Sequence, residues 1–297
     1  MVVAENCPVC SENILGVYLD AKESHFVSSA FGPSRNAISS GLILRCDNCR
    51  FAFAQLRPSE EVLGRVYQEM DGTLYEAESE GRSISALKQL KLVERYARPP
   101  GRLLDVGCAS GQFLQHALNS NWEVEGIEPC VPLAHRAQDI LGPNAQIHLG
   151  ALQSVAICQG SFDIVTLWDV LEHVADPVGF LLLAKSLLKP EGIIFANVPN
   201  LDSIQAKLLK SRWPLLLPEH LNYFNRTSLE LCGAKAGLRW SGSCHRAAAF
   251  SIGYLFYRLQ QHEVPLSAIV SRLIDIVGAN RIIIRIPLGE ICGVWKR

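Results

Sequence analysis

The chain has 297 residues, 48% of them apolar, enough for one large folded unit or two unequal ones. Its formal net charge of -1 leaves no global field to draw it to nucleic acid or an acidic lipid surface, so a small or neutral substrate is expected before a polyanion. No basic and apolar leader opens the chain and no stretch reaches about 18 uninterrupted apolar residues, so neither a signal peptide nor a membrane-spanning helix is expected, and a cytoplasmic location is.

Residues 1–55 are rich in Cys, Ser, Asn and Gly, with short apolar alternations, and read as a small β-rich module. Cys7-Pro8-Val9-Cys10 and Cys46-Asp47-Asn48-Cys49 form two Cys-x-x-Cys knuckles among ten cysteines. Four thiolates in two pairs suit a closed, tetrahedral structural zinc site, and the remaining scattered cysteines suit free thiols in a reducing compartment. Redox-active or plain buried cysteines are the alternative. Only Lys22, Arg35 and Arg45 are basic within residues 1–49, too few for a phosphate-reading surface.

Residues 56–98 read as a helical linker or lid, opening after Pro58-Ser59 and closing at Pro99-Pro100-Gly101. From there to residue 297, apolar strands alternate with helical stretches. Arg102–Val106, Glu123–Ile127, Phe162–Trp168 and Gly192–Val198 predict strands. Gln112–Ser120, Val131–Leu141 and Pro177–Leu188 predict helices. This rhythm predicts an α/β fold with a doubly wound, mainly parallel sheet. Thr227-Ser228-Leu229-Glu230 predicts a capping box for a helix to Ala236, with Gly237 at its end. Leu238–Ser243 and Glu290–Trp295 predict a last strand pair. Between them, about 250–288 reads as a hydrophobic, helical insert: a cap, a dimer contact, or an interfacial helix pair touching a membrane.

The chemistry concentrates at the strand exits. Leu103-Leu104-Asp105-Val106-Gly107-Cys108-Ala109-Ser110-Gly111 runs from a strand through small residues into a helix, where glycines let the backbone approach a ligand. Asp105 is placed to orient a ligand ammonium, and Glu128, ending the next strand, to accept two ribose hydroxyls. A dinucleotide fingerprint would need Gly-x-Gly-x-x-Gly, and Phe113 or Leu114 stands where its last glycine would fall.

This string resembles the glycine-rich first motif of class I S-adenosylmethionine (SAM) dependent methyltransferases, and the resemblance extends over about 100–240. It implies a seven-stranded Rossmann-like sheet and SAM as cofactor, held by Asp105, Gly107, Cys108, Ala109, Gly111 and Glu128. Ala109 stands where the family usually has its middle glycine. The adenine-contacting acid of many members is absent from Gly150-Ala151-Leu152-Gln153, so the backbone near Ala151 and Leu152 is expected to serve. Phe162–Pro177, with its Val-Leu-Glu-His-Val core, resembles the matching segment of the subgroup that includes ubiquinone-biosynthesis enzymes, and Leu188–Gly192 resembles its turn into the fifth strand.

That resemblance places Trp168 and Asp169 near the transferred methyl. His173 is a candidate base or a locally bonded helix-start residue. Glu219-His220-Leu221-Asn222-Tyr223-Phe224 resembles the Glu-His-x-x-Tyr-Phe segment of methyltransferases acting on sugars and other small acceptors. It makes His220 the first candidate base, oriented by Glu219 or Tyr223; the alternative is that His220 and Tyr223 pin the loop. An N-terminal zinc ribbon also precedes the methyltransferase domain in sugar C-methyltransferases. The expectation is a SAM-dependent methyltransferase acting on a small-molecule acceptor, a sugar or a glycan or secondary-metabolite precursor. A non-catalytic SAM-binding module and a ribbon-guided nucleic-acid or protein methyltransferase are the alternatives. The oligomeric state stays open.

Overall fold

In a computed structural model, residues 2–13, 15–20, 42–68, 78–217, 219–255 and 279–297 are described. The N-terminal part contributes β1 (Val2–Val3), β2 (Leu15–Asp20), β3 (Leu42–Cys46), β4 (Ala52–Ala54) and β5 (Leu56–Arg57). The helices α1 (Glu60–Gln68) and α2 (Ser79–Val93) follow. Then come β6 (Arg102–Val106), α3 (Gln112–Asn119), β7 (Glu123–Glu128), α4 (Val131–Leu141), β8 (Ala145–Leu149), β9 (Phe162–Trp168), α5 (Pro177–Leu187) and β10 (Leu188–Pro199). The chain continues through α6 (Ile204–Leu209), β11 (Asn222–Tyr223), α7 (Arg226–Lys235), β12 (Arg239–Ser251) and β13 (Ile283–Lys296).

The central sheet has seven strands in the order β12-β13-β10-β9-β6-β7-β8. The five strands from β10 to β8 are parallel, and β13 and β12 add an antiparallel edge. The central parallel strands β6, β9 and β10 are largely buried because helices cover both faces, which is why they read as continuous apolar runs. From β6 the chain winds outward through β7 and β8, then returns to β9 on the other side. The carboxyl ends of β6 and β9 therefore diverge and open a crevice there.

Three expectations need correction. The cap of helix α7 lies two residues before Thr227: it is Asn225, accepting from Ser228 N at 2.9 Å while the Ser228 hydroxyl accepts from Asn225 N at 3.0 Å. The strand β8 carries no strand pattern in the sequence: none of its five residues is buried, and it is defined by its pairing with β7, Ile147 opposite Gly126. The insert is not helical to 288, because β13 begins at Ile283, pairing with Ser251, and β12 extends to meet it. Residues 256–278 of the insert lie outside the described residues. Among the described residues no helix is long and apolar enough to cross a membrane.

The N-terminal strands form a four-stranded sheet in the order β11-β4-β3-β2. Its edge strand β11 comes from the far side of the chain, with Asn222 opposite Phe53 and Tyr223 opposite Ala52. Cys7, Cys46, Cys49, Phe51 and Phe53 share one buried cluster with Leu104 and Val165 of the central sheet and with Leu171 and Phe224 of the segments after β9 and β11.

Candidate active site

The loop after β6 turns at Gly107 (φ 76°), and a Cβ there would stand 2.7 Å from Val170 Cγ2. Gly111 (φ 79°) caps α3 and packs on Ala137 and Leu141; it does not line the cavity. Between them Ala109 holds φ 48°, a left-handed conformation that costs an L-residue about 1–2 kcal/mol. That conformation turns Ala109 N onto Glu128 Oε2 at 2.8 Å, while Cys130 N donates to Glu128 Oε1 at 2.8 Å. Glu128 thus ties the loop to the next strand, and each oxygen keeps a lone pair for a ligand hydroxyl.

A cavity of about 790 Å³ opens at the strand exits, within the usual range for small-molecule sites. Asp105, Gly107, Cys108, Ala109 and Glu128 line one end, with Ala151 and Leu152 beside them. Trp168, Asp169, Glu172, His173 and His220 line the other. Burial pushes the Asp105 carboxyl up to about 8, against the opposing hydrogen bond from Thr166 Oγ1 at 2.7 Å. It pushes Glu128 to about 7 despite two backbone donors. Two buried carboxyls along one cavity favour a cationic ligand with hydroxyls, because the cation offsets their desolvation. SAM carries an ammonium, a sulfonium and a ribose, so these residues fit it.

At the other end, Asp169 also holds a left-handed φ of 58° and accepts from Asn197 Nδ2, which donates to Glu290 Oε1 as well at 3.1 Å. Burial raises Glu172 and Glu290, the latter to about 7, and Asp169 adds to both. Among the described residues, buried Trp168 Nε1, Glu172 Oε2 and Glu290 Oε2 find no hydrogen-bond partner. The Arg246 guanidinium stacks 5.4 Å from the Trp168 ring.

The two histidines meet here, ring centroids 4.7 Å apart. His173 Nδ1 lies 3.1 Å from Glu219 O, and His220 Nδ1 lies 2.9 Å from Leu215 O. A carbonyl only accepts, so each Nδ1 carries the proton and each Nε2 the lone pair. Burial lowers His173 to about 4 and His220 well below its ordinary value, so both rings are neutral near pH 7. The partner orienting His220 is thus the Leu215 carbonyl; Glu219 gives its backbone oxygen to His173, and the Tyr223 hydroxyl donates to Leu217 O at 3.2 Å. Glu219 and Tyr223 stand behind the cavity wall. One ligand atom each from Glu172, His173 and His220 lies within 4.8 Å of the other two, so the group has the spacing of a cation site.

Sequence reasoning missed Arg246, Asn197, Glu290 and the α1 and α2 residues Tyr67 and Gln89. Arg246 and Glu290 face each other across β12 and β13, a pairing that no local pattern encodes.

The four cysteines converge as the spacing predicts. Cys7 and Cys49 Sγ are 3.5 Å apart, Cys10 and Cys46 Sγ 3.4 Å, and all four lie within 4.8 Å of one another. Zn–S bonds of about 2.3 Å give a tetrahedron with edges of about 3.8 Å, which this cluster fits. The Cys49 hydrogen bond holds the Cys7 thiol below its ordinary range.

Residues 80–240 match the model of a methyltransferase domain family. The ubiquinone biosynthesis O-methyltransferase of Xanthomonas campestris pv. campestris (strain B100) is 32% identical over 133 residues, 42% of this chain and 56% of that protein. The enzyme of the same name from Albidiferax ferrireducens is 30% identical over 134 residues, 42% and 53% of the two chains. The chain therefore spans about half the length of the curated relatives it matches. Among solved structures, a chain from the complex between the Haloferax volcanii Trm112 methyltransferase activator and a methyltransferase superposes with a TM-score of 0.51 at 14% identity, covering 73% of this chain and 94% of that one. The YcgJ protein of Bacillus subtilis superposes at 0.50 with 13% identity, covering 71% and 97%. At these identities the likeness is one of fold.

Proposed function

Because this chain belongs to the class I SAM-dependent methyltransferase family, we propose that it transfers the methyl group of SAM to a hydroxyl of a small polar acceptor, a sugar or glycan precursor being the first class to try. The observation that carries this reading is the single cavity shared by the Asp105–Glu128 end and the His173–His220 end. The relatives' names point to reaction at oxygen. The cavity lining is mainly apolar, with Asp169, Glu172, Glu290 and Arg246 as charged groups that would meet the hydroxyls of an acceptor.

When bound, SAM supplies an already activated methyl group. On this reading Asp105 takes the ammonium, Glu128 the ribose, and the backbone at Ala151 and Leu152 the adenine. Trp168 and Asp169 border the methyl. At the far end of the cavity, His220 Nε2 would take the proton of an acceptor hydroxyl, which would gain the methyl group as its bond to the SAM sulfur breaks. His173 is the second candidate for that proton. Zinc at Cys7, Cys10, Cys46 and Cys49 is structural, and residues 1–55, 56–98 and 99–297 are a ribbon module, a helical linker and the methyltransferase domain.

Methyl-labelled SAM incubated with nucleoside-diphosphate sugars and with dihydroxyphenols tests the assignment. Label is expected in a hydroxylated acceptor. The variant His220→Ala should bind SAM normally and transfer about 10²–10⁴-fold more slowly. Undiminished transfer by His220→Ala removes it as the base. SAM binding with no transfer to any acceptor would favour a non-catalytic SAM-binding module.

A further inference from the structure

We propose that Arg57, on β5 directly after the N-terminal cysteine module, is a positioning residue that fixes the His173 and His220 segments against each other and so sets the acceptor wall. The two histidines sit on separate loops, and neither lies within a helix or strand. Arg57 is buried between those loops and reaches both. It donates to Ala175 O at 2.7 Å and Val174 O at 3.3 Å on the His173 side. It donates to Leu221 O at 3.2 Å and Asn222 Oδ1 at 2.7 Å on the His220 side. Asn222 closes the bracket, its amide donating to Leu171 O at 2.9 Å and Val174 O at 2.8 Å. The backbone adds Leu221 N and Asn222 N, both on Glu172 O, at 2.7 and 3.0 Å. Each histidine precedes by one residue a carbonyl that Arg57 holds.

The bracket is anchored in the cysteine module. Ala54 N donates to Leu221 O at 3.0 Å, and β4 pairs with β11. The Phe51 and Phe224 rings lie 4.9 Å apart. The cysteine knuckle fixes Phe51 in turn, since Cys46 N donates to Phe51 O at 2.9 Å. A planar guanidinium with several donors in one rigid fork can hold carbonyls on two loops at once; an ammonium, which presents its donors from one point, cannot span them. The cysteine module therefore builds part of the acceptor site rather than sitting beside it.

This rests on the assignment of His173 and His220 to the acceptor side, but a test by spectroscopy does not. In the full zinc-loaded chain, the imidazole ¹⁵N signals of both histidines, assigned through His173→Gln and His220→Gln, are compared in wild type, Arg57→Ala and Arg57→Lys, alongside calorimetric SAM affinity. Arg57→Ala should leave SAM affinity unchanged and shift and broaden both imidazole signals together, and Arg57→Lys should shift both by less. Unshifted signals in Arg57→Ala overturn the proposal. Should Arg57→Ala lose SAM binding and so prove misfolded, Arg57→Lys decides: unshifted signals overturn the proposal there too. Coupled shifts combined with full methyl transfer by His220→Gln would uphold Arg57 as the bracket and instead remove His220 as the base.

Discussion

Asp105 and Glu128 sit in the folded chain with their carboxyls raised by burial to about 8 and about 7. Both are raised above their unfolded values, so each contributes stability in its neutral form. That contribution is complete below the ordinary carboxylate range near pH 4 and is lost as pH rises through 7 to 8. A cation seated against them reverses the preference and draws off the protons. SAM affinity is therefore expected to rise between about pH 6 and pH 8.5, with net proton release visible as a buffer-dependent calorimetric enthalpy. Affinity that falls over that range would contradict the placement of the ammonium at Asp105. These residues were legible in the sequence because a strand, a glycine turn and a helix follow one another locally. The bond from Ala109 N to Glu128 was not, since it depends on the left-handed turn at Ala109, and alanine gives no sequence signal for such a turn. Arg57 and Arg246 were invisible for another reason: their partners lie far along the chain.

Elements whose burial is uniform or local came through the sequence best. The helix α4 and the strand β9 lie where periodicity placed them, Val131–Leu141 and Phe162–Trp168. The start of α7 did not, because two capping patterns overlap there and the earlier one also has a tertiary partner. Asn225 caps Ser228 N and, through Nδ2, donates to Arg50 O at 3.1 Å on the cysteine module. Asn225→Ala should thus cost about 1–2 kcal/mol in denaturant unfolding, while Thr227→Ala should cost a few tenths at most. Equal costs would return the cap to Thr227. The strand β11 is two residues long and exists only through its pairing with Ala52 and Phe53, so no periodicity could announce it. The length of β12 and β13 is likewise set by their pairing with each other.

At the scale of the molecule, the cysteine module and the central sheet share one buried cluster, and β11 stitches the His220 loop into the module's sheet. On the proposed function, the SAM end of the cavity is built by the crevice between β6 and β9, and the acceptor end by the loops that the module holds. Composition and strand rhythm reveal the first half, because a doubly wound sheet dictates where its ligand binds. The second half follows from packing between distant segments. The central claim, that the Asp105–Glu128 crevice holds SAM, is tested most directly by calorimetric titration of SAM into the wild-type chain and into Gly107→Val, whose side chain would strike Val170 and whose backbone resists φ 76°. Stoichiometric binding to the wild type that disappears in a folded Gly107→Val is the expected result. No binding to the wild type, or equal affinity in both, would contradict it.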